Sequence, residues 1–339
     1  MRVGLLFDFP QRDGGDSLEH AIRLGLDSVA AFDGDVEFVR EARQGHPAGS
    51  ADDVVEGFQV LDAAGVDLIV GPSISDNALA ARDAADRAEL ASINYSGGER
   101  TRSSWMFHYQ VGSLEEEPPV LIARLAQRGY GRIGVIHDAS VVGDRYRECL
   151  GWAAAAQGLE IVASVPISPV ADDVADAVAT VRASSPDALV YLGLGAASHN
   201  VALALGDWKV PVVANSALMF GYAMPDWRDA WAGWEYIDTI ADDNQQRAAL
   251  AALDKRAAGG PIGCAAYDMG RLVGEAHARA DRHDRAGLRE GLERVKQLPA
   301  SSGYEGTLIG FGVCDRAALK GHFLVLREWR GGKTVQVER

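Results

Sequence analysis

The segment "GPSIS", residues 71–75, places two hydroxyls at a bend between the apolar run 66–70 and an alanine-rich helical pattern that starts near Asp76. A serine at such a bend suits three chemistries: a hydrolase nucleophile, a pyrophosphate contact in a dehydrogenase, or a donor to a bound guest. The spacing approaches the GxSxG nucleophile elbow, but its fifth position is Ser75, and no acid and histidine follow in a convincing order. A second glycine run, "GLGAAS" at 193–198, opens a helix after a strand as GxGxxG does. Its sixth residue is Ser198, and no Asp or Glu near 215 could take a ribose hydroxyl. There is no P-loop lysine, and none of the eight histidines completes HExxH. No catalytic residue, metal ligand or cofactor is therefore assigned, and an enzyme is not expected.

What remains at these bends is a supply of neutral donors. Glycines let a guest approach the backbone, and N–H groups at helix N-termini favour an anion. Ser73, Ser75 and Ser96 add hydroxyl donors without adding charge, beside Gly97 and Gly98. A small carboxylate or polar head group fits that chemistry. The alternative, that the serines only cap their own helices, stays open.

The elements that must hold these bends alternate along the chain. "RVGLLFDF", "DVEFVREA", "VDLIVG" and "LASINY" read as strands, separated by helical patterns at 16–31, 50–65 and 76–89. A second series starts with the helix "EEEPPVLIARLAQRGY", whose acids and prolines suit a first turn. It continues through strands "GRIGVIHD", "LEIVASVPI", "PDALVYLGLG" and "VPVVANS", with helices at 143–157, "DDVADAVATVRASS" and 197–207. Helices "NQQRAALAALDKRAA" and "CAAYDMGRLVGEAHARADR" follow and are expected to return to the first lobe. After the helix "DRAGLREGLERVKQL" comes a closing hairpin with a Gly331-Gly332 turn. Strands alternating with helices imply parallel βαβ units, and two series imply two doubly wound, Rossmann-like lobes.

At 339 residues the chain exceeds what one core usually serves. A net charge of −15 without any dense basic run argues against nucleic acid as a partner. No apolar run is long enough for a membrane span. Cys149, Cys264 and Cys314 lie far apart without CxxC spacing, so all three are expected to be reduced and buried. Met1–Pro10 reads as a first strand, not a signal peptide, because Asp8 interrupts the apolar stretch. The protein is extracytoplasmic if a leader has been removed, and cytoplasmic if Met1 is the native start.

In order, "VDLIVGPSISDNA", "ASINYSGG", "YGRIGVIHDASVVGDRYRE", "PDALVYLGLG", "VPVVANS", "CAAYDMGRLVGEA" and "LKGHFLVLREWRGG" resemble type I periplasmic binding proteins, nearest to the leucine/isoleucine/valine receptors of ABC importers. The resemblance implies two lobes joined by three crossovers near Ser113–Leu114, Ile237–Asp238 and Asp315–Gly321, closing over a small organic solute. The lobes would be 1–114 plus 239–316 and 115–238 plus 317–339. It implies that Ser73–Ser75 with Ile74, and Ser96–Gly98, hold the guest's carboxylate, and that Val142, Leu194–Gly195 and Ser216–Ala217 contribute from the other lobe. Phe9 and Tyr95 would offer apolar wall, with Phe7, Trp105, Phe220 and Tyr222 as further aromatics.

Relatives that take amino acids neutralise the ammonium with acids at two places, which here read Gly112-Ser113-Leu114 and Asn215-Ser216-Ala217. Neither carries a carboxylate, although Glu115 lies one residue from the first. An enclosed ammonium without a counter-charge bears a large desolvation cost. The expected guest is therefore a carboxylate with an apolar or aromatic body, not a standard α-amino acid. The expected partners are that solute and, if the chain is exported, an ABC permease, with the protein itself a monomer or dimer. The alternative function is a cytoplasmic ligand sensor of the amide-responsive type. The segment "MFGYAMPDWRDAWAGWEY" is either lobe core or an aromatic pocket, and His108 and His137 at strand ends are expected to be structural.

Overall fold

The computed structural model describes residues 1–9 and 13–338. Contacts divide the chain into one unit of Met1–Val111 with Thr239–Phe323, and another of Gly112–Asp238 with Leu324–Arg339, so the chain crosses three times.

The first unit opens with β1 (Arg2–Phe7), α1 (Asp16–Asp27), β2 (Glu37–Ala42), α2 (Ala51–Ala63), β3 (Leu68–Val70), α3 (Ser75–Ala88), β4 (Ser92–Asn94) and β5 (Met106–His108). The strands pair in parallel in the order β2-β1-β3-β4-β5. All residues of β3, β4 and β5 are buried, as expected of parallel strands covered on both faces. Edge strand β2 remains partly exposed. Ser50 caps α2 by accepting the Asp52 N–H, as the sequence predicts. Strand β5 was not foreseen: three residues are too few to show a period of two.

The second unit carries α4 (Glu117–Gln127), β6 (Arg132–Asp138), α5 (Val141–Gln157), β7 (Glu160–Ile167), α6 (Ala175–Ala183), β8 (Ala188–Leu192), α7 (Ser198–Leu205), β9 (Val212–Ala214), α8 (Phe220–Ala223) and β10 (Glu235–Asp238). Helix α4 is tied to β10 by Arg124, whose Nε donates to the buried Glu235 carboxylate at 2.8 Å, and by Arg128 on the same group. Within the aromatic segment, Trp231 and Trp234 are core residues, packed with Tyr191, Tyr236 and Trp329, and Trp227 lies against them. Strand β10 runs at the end of this segment, hidden by its unpatterned aromatics.

The chain then returns to the first unit as α9 (Gln245–Leu253), α10 (Pro261–Arg279), α11 (Arg285–Arg294) and the small antiparallel sheet β11 (Leu298–Pro299), β12 (Leu308–Ile309) and β13 (Leu319–Lys320). Helices α1 and α10 meet through two glycines. A Cβ on Gly25 would strike the Tyr267 carbonyl, and one on Gly270 the Ile22 carbonyl, so only hydrogen fits at the crossing. The hairpin β14 (Val325–Arg330) and β15 (Lys333–Gln336) completes the second unit, with β14 antiparallel to β10. The second sheet thus runs β15-β14-β10-β9-β8-β6-β7.

The units divide at 111/112, 238/239 and 323/324, where the sequence reading placed 114/115, 238/239 and 316/317. The largest difference has a clear cause: Ala317 bridges His108 and β13 pairs with β12, which keeps the chain in the first unit beyond 316. Cys149 and Cys264 are buried free thiols, but Cys314 is exposed, contrary to expectation. It sits in the turn at 312–315, closed by the Gly312 N–H on the Asp315 carbonyl, which keeps it off the core.

Candidate functional site

In the first unit, three neighbouring strands deliver their carboxyl ends to one edge of the sheet, where α/β folds place ligands. Asp8 follows β1 and is 1% exposed. Its Oδ1 accepts the Ser73 N–H at 2.8 Å and the Ser73 hydroxyl at 2.6 Å. Its Oδ2 accepts the Ile74 N–H at 2.9 Å and Asn77 Nδ2 at 2.8 Å. One buried carboxylate thereby shapes the whole β3–α3 bend.

Ser75, the first residue of α3, is buried, and its Oγ accepts the Gly97 N–H at 3.2 Å. An acceptor in that bond, the hydroxyl keeps its own hydrogen for a second partner. Tyr95 is buried, and its hydroxyl reaches the Ser73 side chain; burial, with Asp8 nearby, pushes the phenol far up and keeps it a neutral donor. The β4 bend is held from below. The Ser96 hydroxyl donates to Asn94 Oδ1 at 2.7 Å, and the Ser96 carbonyl meets His108 Nε2 at 2.8 Å. Arg102 Nε donates to His108 Nδ1 at 3.1 Å, so Nε2 carries the hydrogen and gives it to Ser96. Burial, with Arg102 adding to it, lowers the His108 pKa to about 3, and the ring stays neutral.

Ser73, Ile74, Ser75, Tyr95, Ser96, Gly97 and Gly98 therefore adjoin one another through named hydrogen bonds, with Gly98 facing Ser75. Half-buried Phe9 follows Asp8 at the end of β1. The two serines differ in what they retain. Ser73 has given its N–H and hydroxyl to Asp8, whereas among the described residues Ser75 gives its hydroxyl hydrogen to none.

The second unit repeats the plan. Strands β6, β8 and β9 are neighbours, and Asp138 at the end of β6 accepts the Leu194 N–H at 2.7 Å and the Tyr191 hydroxyl at 3.3 Å. Asn215 grips Gly193 twice, accepting its N–H at 3.2 Å and donating to its carbonyl at 2.8 Å. Gly195 has φ +96°, and a Cβ there would strike the Ala217 carbonyl oxygen, so the 194–195 and 216–217 segments lie backbone to backbone. Val142 is buried among Leu114, Leu121 and Ile122 in the apolar core, beside the Ser140 cap of α5. His137 lies buried with its Nδ1 on the Asp138 carbonyl at 3.2 Å, and burial lowers its pKa.

Glu117 was not foreseen here. Its three-glutamate segment signalled only a helix N-terminus, yet its side chain joins the two segments where the sequence shows no acid. Oε1 accepts the Ser113 N–H at 2.6 Å and the Tyr146 hydroxyl at 3.1 Å, and Oε2 accepts the Ser216 N–H at 2.7 Å. Burial pushes its pKa up to about 7, opposed by the Ser113, Ser216 and Tyr146 donors. Asp8 and Asp138 did leave a signal, since each directly ends the first strand of its series, in "LLFDF" and "VIHDA". Among the described residues no group of three or more His, Cys, Asp or Glu side chains is placed to hold a metal ion, and no helix is long and apolar enough to cross a membrane.

The periplasmic binding protein family model matches residues 1–317. No curated protein matches the sequence. Among solved structures, a periplasmic binding protein type 1 from Bordetella pertussis Tohama I is similar at 17% identity and a TM-score of 0.83, covering 99% of each chain. A solute-binding protein of an ABC transporter from Rhodopseudomonas palustris BisB5, in complex with 3,4-dihydroxybenzoic acid, is similar at 18% identity and a TM-score of 0.82, covering 99% of this chain and 96% of the other. Another R. palustris solute-binding protein, in complex with 4-hydroxybenzoate, is similar at 16% identity and a TM-score of 0.81, covering 100% and 96%. At these identities the likeness concerns the fold.

Proposed function

The chain belongs to the periplasmic binding protein family, and from that premise we propose that it is the solute receptor of an ABC-type importer whose guest is a small aromatic or otherwise apolar carboxylate. The expected ligand residues are Phe9, Ser73, Ile74, Ser75, Tyr95, Ser96, Gly97 and Gly98 in the first unit. In the second they are Val142, Leu194, Gly195, Ser216 and Ala217. Ser75 and the 96–98 backbone receive the carboxylate, Ser73 holds their bend in shape, and Tyr95 supplies aromatic wall.

One observation carries the reading against an α-amino acid. Glu117, the carboxyl group that joins the 112–114 and 215–217 segments, is enclosed by donors of the protein itself. An ammonium brought there would have to compete with them for the carboxylate and give up its own water, at a substantial desolvation cost. The aromatic acids bound by two structurally similar solute-binding proteins support the choice of guest. The amide-responsive sensor alternative gains no support from these relatives. Binding without transformation agrees with the family and with bends that offer donors instead of an acid–base pair.

A thermal-shift screen tests the proposal. 4-Hydroxybenzoate or 3,4-dihydroxybenzoate at 100 times its Kd should stabilise the protein by about 2.7 kcal/mol, whereas leucine should not move the melting temperature. A shift with leucine and none with the aromatic acids would overturn the assignment.

A further inference from the structure

Glu117 does more than satisfy its neighbours. It is completely buried, and among the described residues its hydrogen-bond partners are all neutral: Ser113 N–H, Tyr146 hydroxyl, and the N–H and side-chain hydroxyl of Ser216. The charged groups around it are engaged elsewhere. From α5, Arg145 pairs with Glu115 and Glu148. From β10, Glu235 is taken up by Arg124 and Arg128, further along α4. Glu115 and Glu116 on its own segment are acids, and residues 215–217 carry no titratable side chain. A Cβ on Gly112 would run into both Glu117 Oε1 and Ser216 Oγ, so the 112–113 segment closes directly over this contact.

The carboxylate thus clasps two backbone amides from separate segments. One, Ser113, follows the first chain crossing at 111/112; the other, Ser216, belongs to a proposed solute-binding bend. Ionisation decides how well the clasp holds. A carboxylate accepts at every lone pair, whereas a carboxylic acid turns one of its oxygens into a donor. That donor would face a backbone N–H that cannot accept it, or a hydroxyl that must turn its oxygen to do so.

We infer that Glu117 is a positioning residue for solute binding, whose ionised carboxylate holds the Ser216–Ala217 bend against Gly112–Ser113 and whose protonation releases it. This inference rests on the solute-binding reading above. Burial lifts the Glu117 pKa to about 7, which places the change near neutral pH.

Two measurements on the full chain test it. In the first, the 15N–1H resonances of Ser113 and Ser216 are followed from pH 5 to 9 in wild type and in Glu117→Gln. Both amides should titrate with a midpoint near 7 in wild type and stay still in the variant. In the second, affinity for 4-hydroxybenzoate is measured at pH 6 and pH 8. With a midpoint near 7, the ionised fraction and the wild-type affinity should fall about tenfold between pH 8 and 6. Glu117→Gln should bind weakly and equally at both.

Amides that do not titrate, or a variant as tight as wild type at pH 8, would overturn the inference. If 4-hydroxybenzoate fails to bind wild type at either pH, the guest assignment falls and the amide titration alone decides the role of Glu117. If the variant does not fold, the wild-type titration and pH profile decide it.

Discussion

Ser73 gives both of its donors to one oxygen of Asp8, the hydroxyl at 2.6 Å and the N–H at 2.8 Å. Ser75, two residues on, accepts the Gly97 N–H and retains its hydroxyl hydrogen. The two serines of one bend therefore do different work, one holding the loop to Asp8 and the other joining it to the Gly97 backbone. Ser73→Ala should cost about 1.5–3 kcal/mol of stability, the range for a hydrogen bond to a charged group, with a smaller effect on solute affinity. Ser75→Ala should lower affinity at least about tenfold while costing about 1 kcal/mol of stability or less. Denaturant unfolding and calorimetric titration of each variant check this, and equal losses in both quantities at Ser75 would remove it from the site.

Gly98 tests the same bend by bulk. Its backbone is extended at φ −95°, so a side chain meets no backbone strain, but its Cβ would lie 3.3 Å from Ser75 Cβ and Oγ. Gly98→Leu should abolish measurable solute binding and change stability by about 1 kcal/mol. Retained binding in a folded variant would show that the guest lies elsewhere.

Asn215→Asp probes the matching bend of the second unit. The replacement keeps the acceptor for the Gly193 N–H but sets an oxygen against the Gly193 carbonyl, where Nδ2 now donates at 2.8 Å. A buried carbonyl left without its donor, facing a new charge, should cost about 2–3 kcal/mol near neutral pH and less in acid. Unfolding midpoints at pH 4.5 and 7.5 give the comparison; an unchanged midpoint at both would dismiss the double grip.

Two buried groups bend the pH–stability curve in opposite senses. Glu117 is raised from an ordinary 4.5 to about 7, so between those values the folded chain holds a proton that the unfolded chain has released. Its contribution grows as pH falls through that window and is lost as pH rises, at up to about 1.4 kcal/mol per pH unit. His108 is lowered from 6.5 to about 3, so its contribution is complete above 6.5 and is lost as pH falls toward 3. Where the windows overlap, between 4.5 and 6.5, the two oppose each other. Glu117→Gln removes one of them, so the stability of wild type minus that of the variant should decline steadily from pH 4.5 to 7 and then level. A difference independent of pH would contradict the burial of an unpaired acid.

The two series of strands and helices were legible because their apolar runs and helical periods are long enough to repeat. Strand β5 and the small sheet β11-β12-β13 were not, since two or three residues show no period and owe their extended shape to partners distant in sequence. The bends that carry Ser73, Ser75 and Ser96–Gly98 could be located from the strand ends alone. Their internal wiring could not, because it depends on residues such as Asn77 and His108 whose partners are named only by the fold. Glu117 is the site residue least legible in the sequence. Acids crowd helix N-termini for electrostatic reasons that hide one turned inward, and nothing local distinguishes Glu117 from exposed Glu116 beside it.

Asp8 and Asp138 occupy equivalent stations, each ending the first strand of its sheet and reading an amide in the bend beyond the neighbouring strand. A backbone loop left to itself would sample many shapes, and freezing it at the moment of encounter would subtract from the attraction for an arriving molecule. Here that loss of freedom falls at folding, inside each unit separately. Each half therefore meets a molecule as a finished surface, and changing either aspartate should weaken its hold even where no contact with the captured molecule is lost.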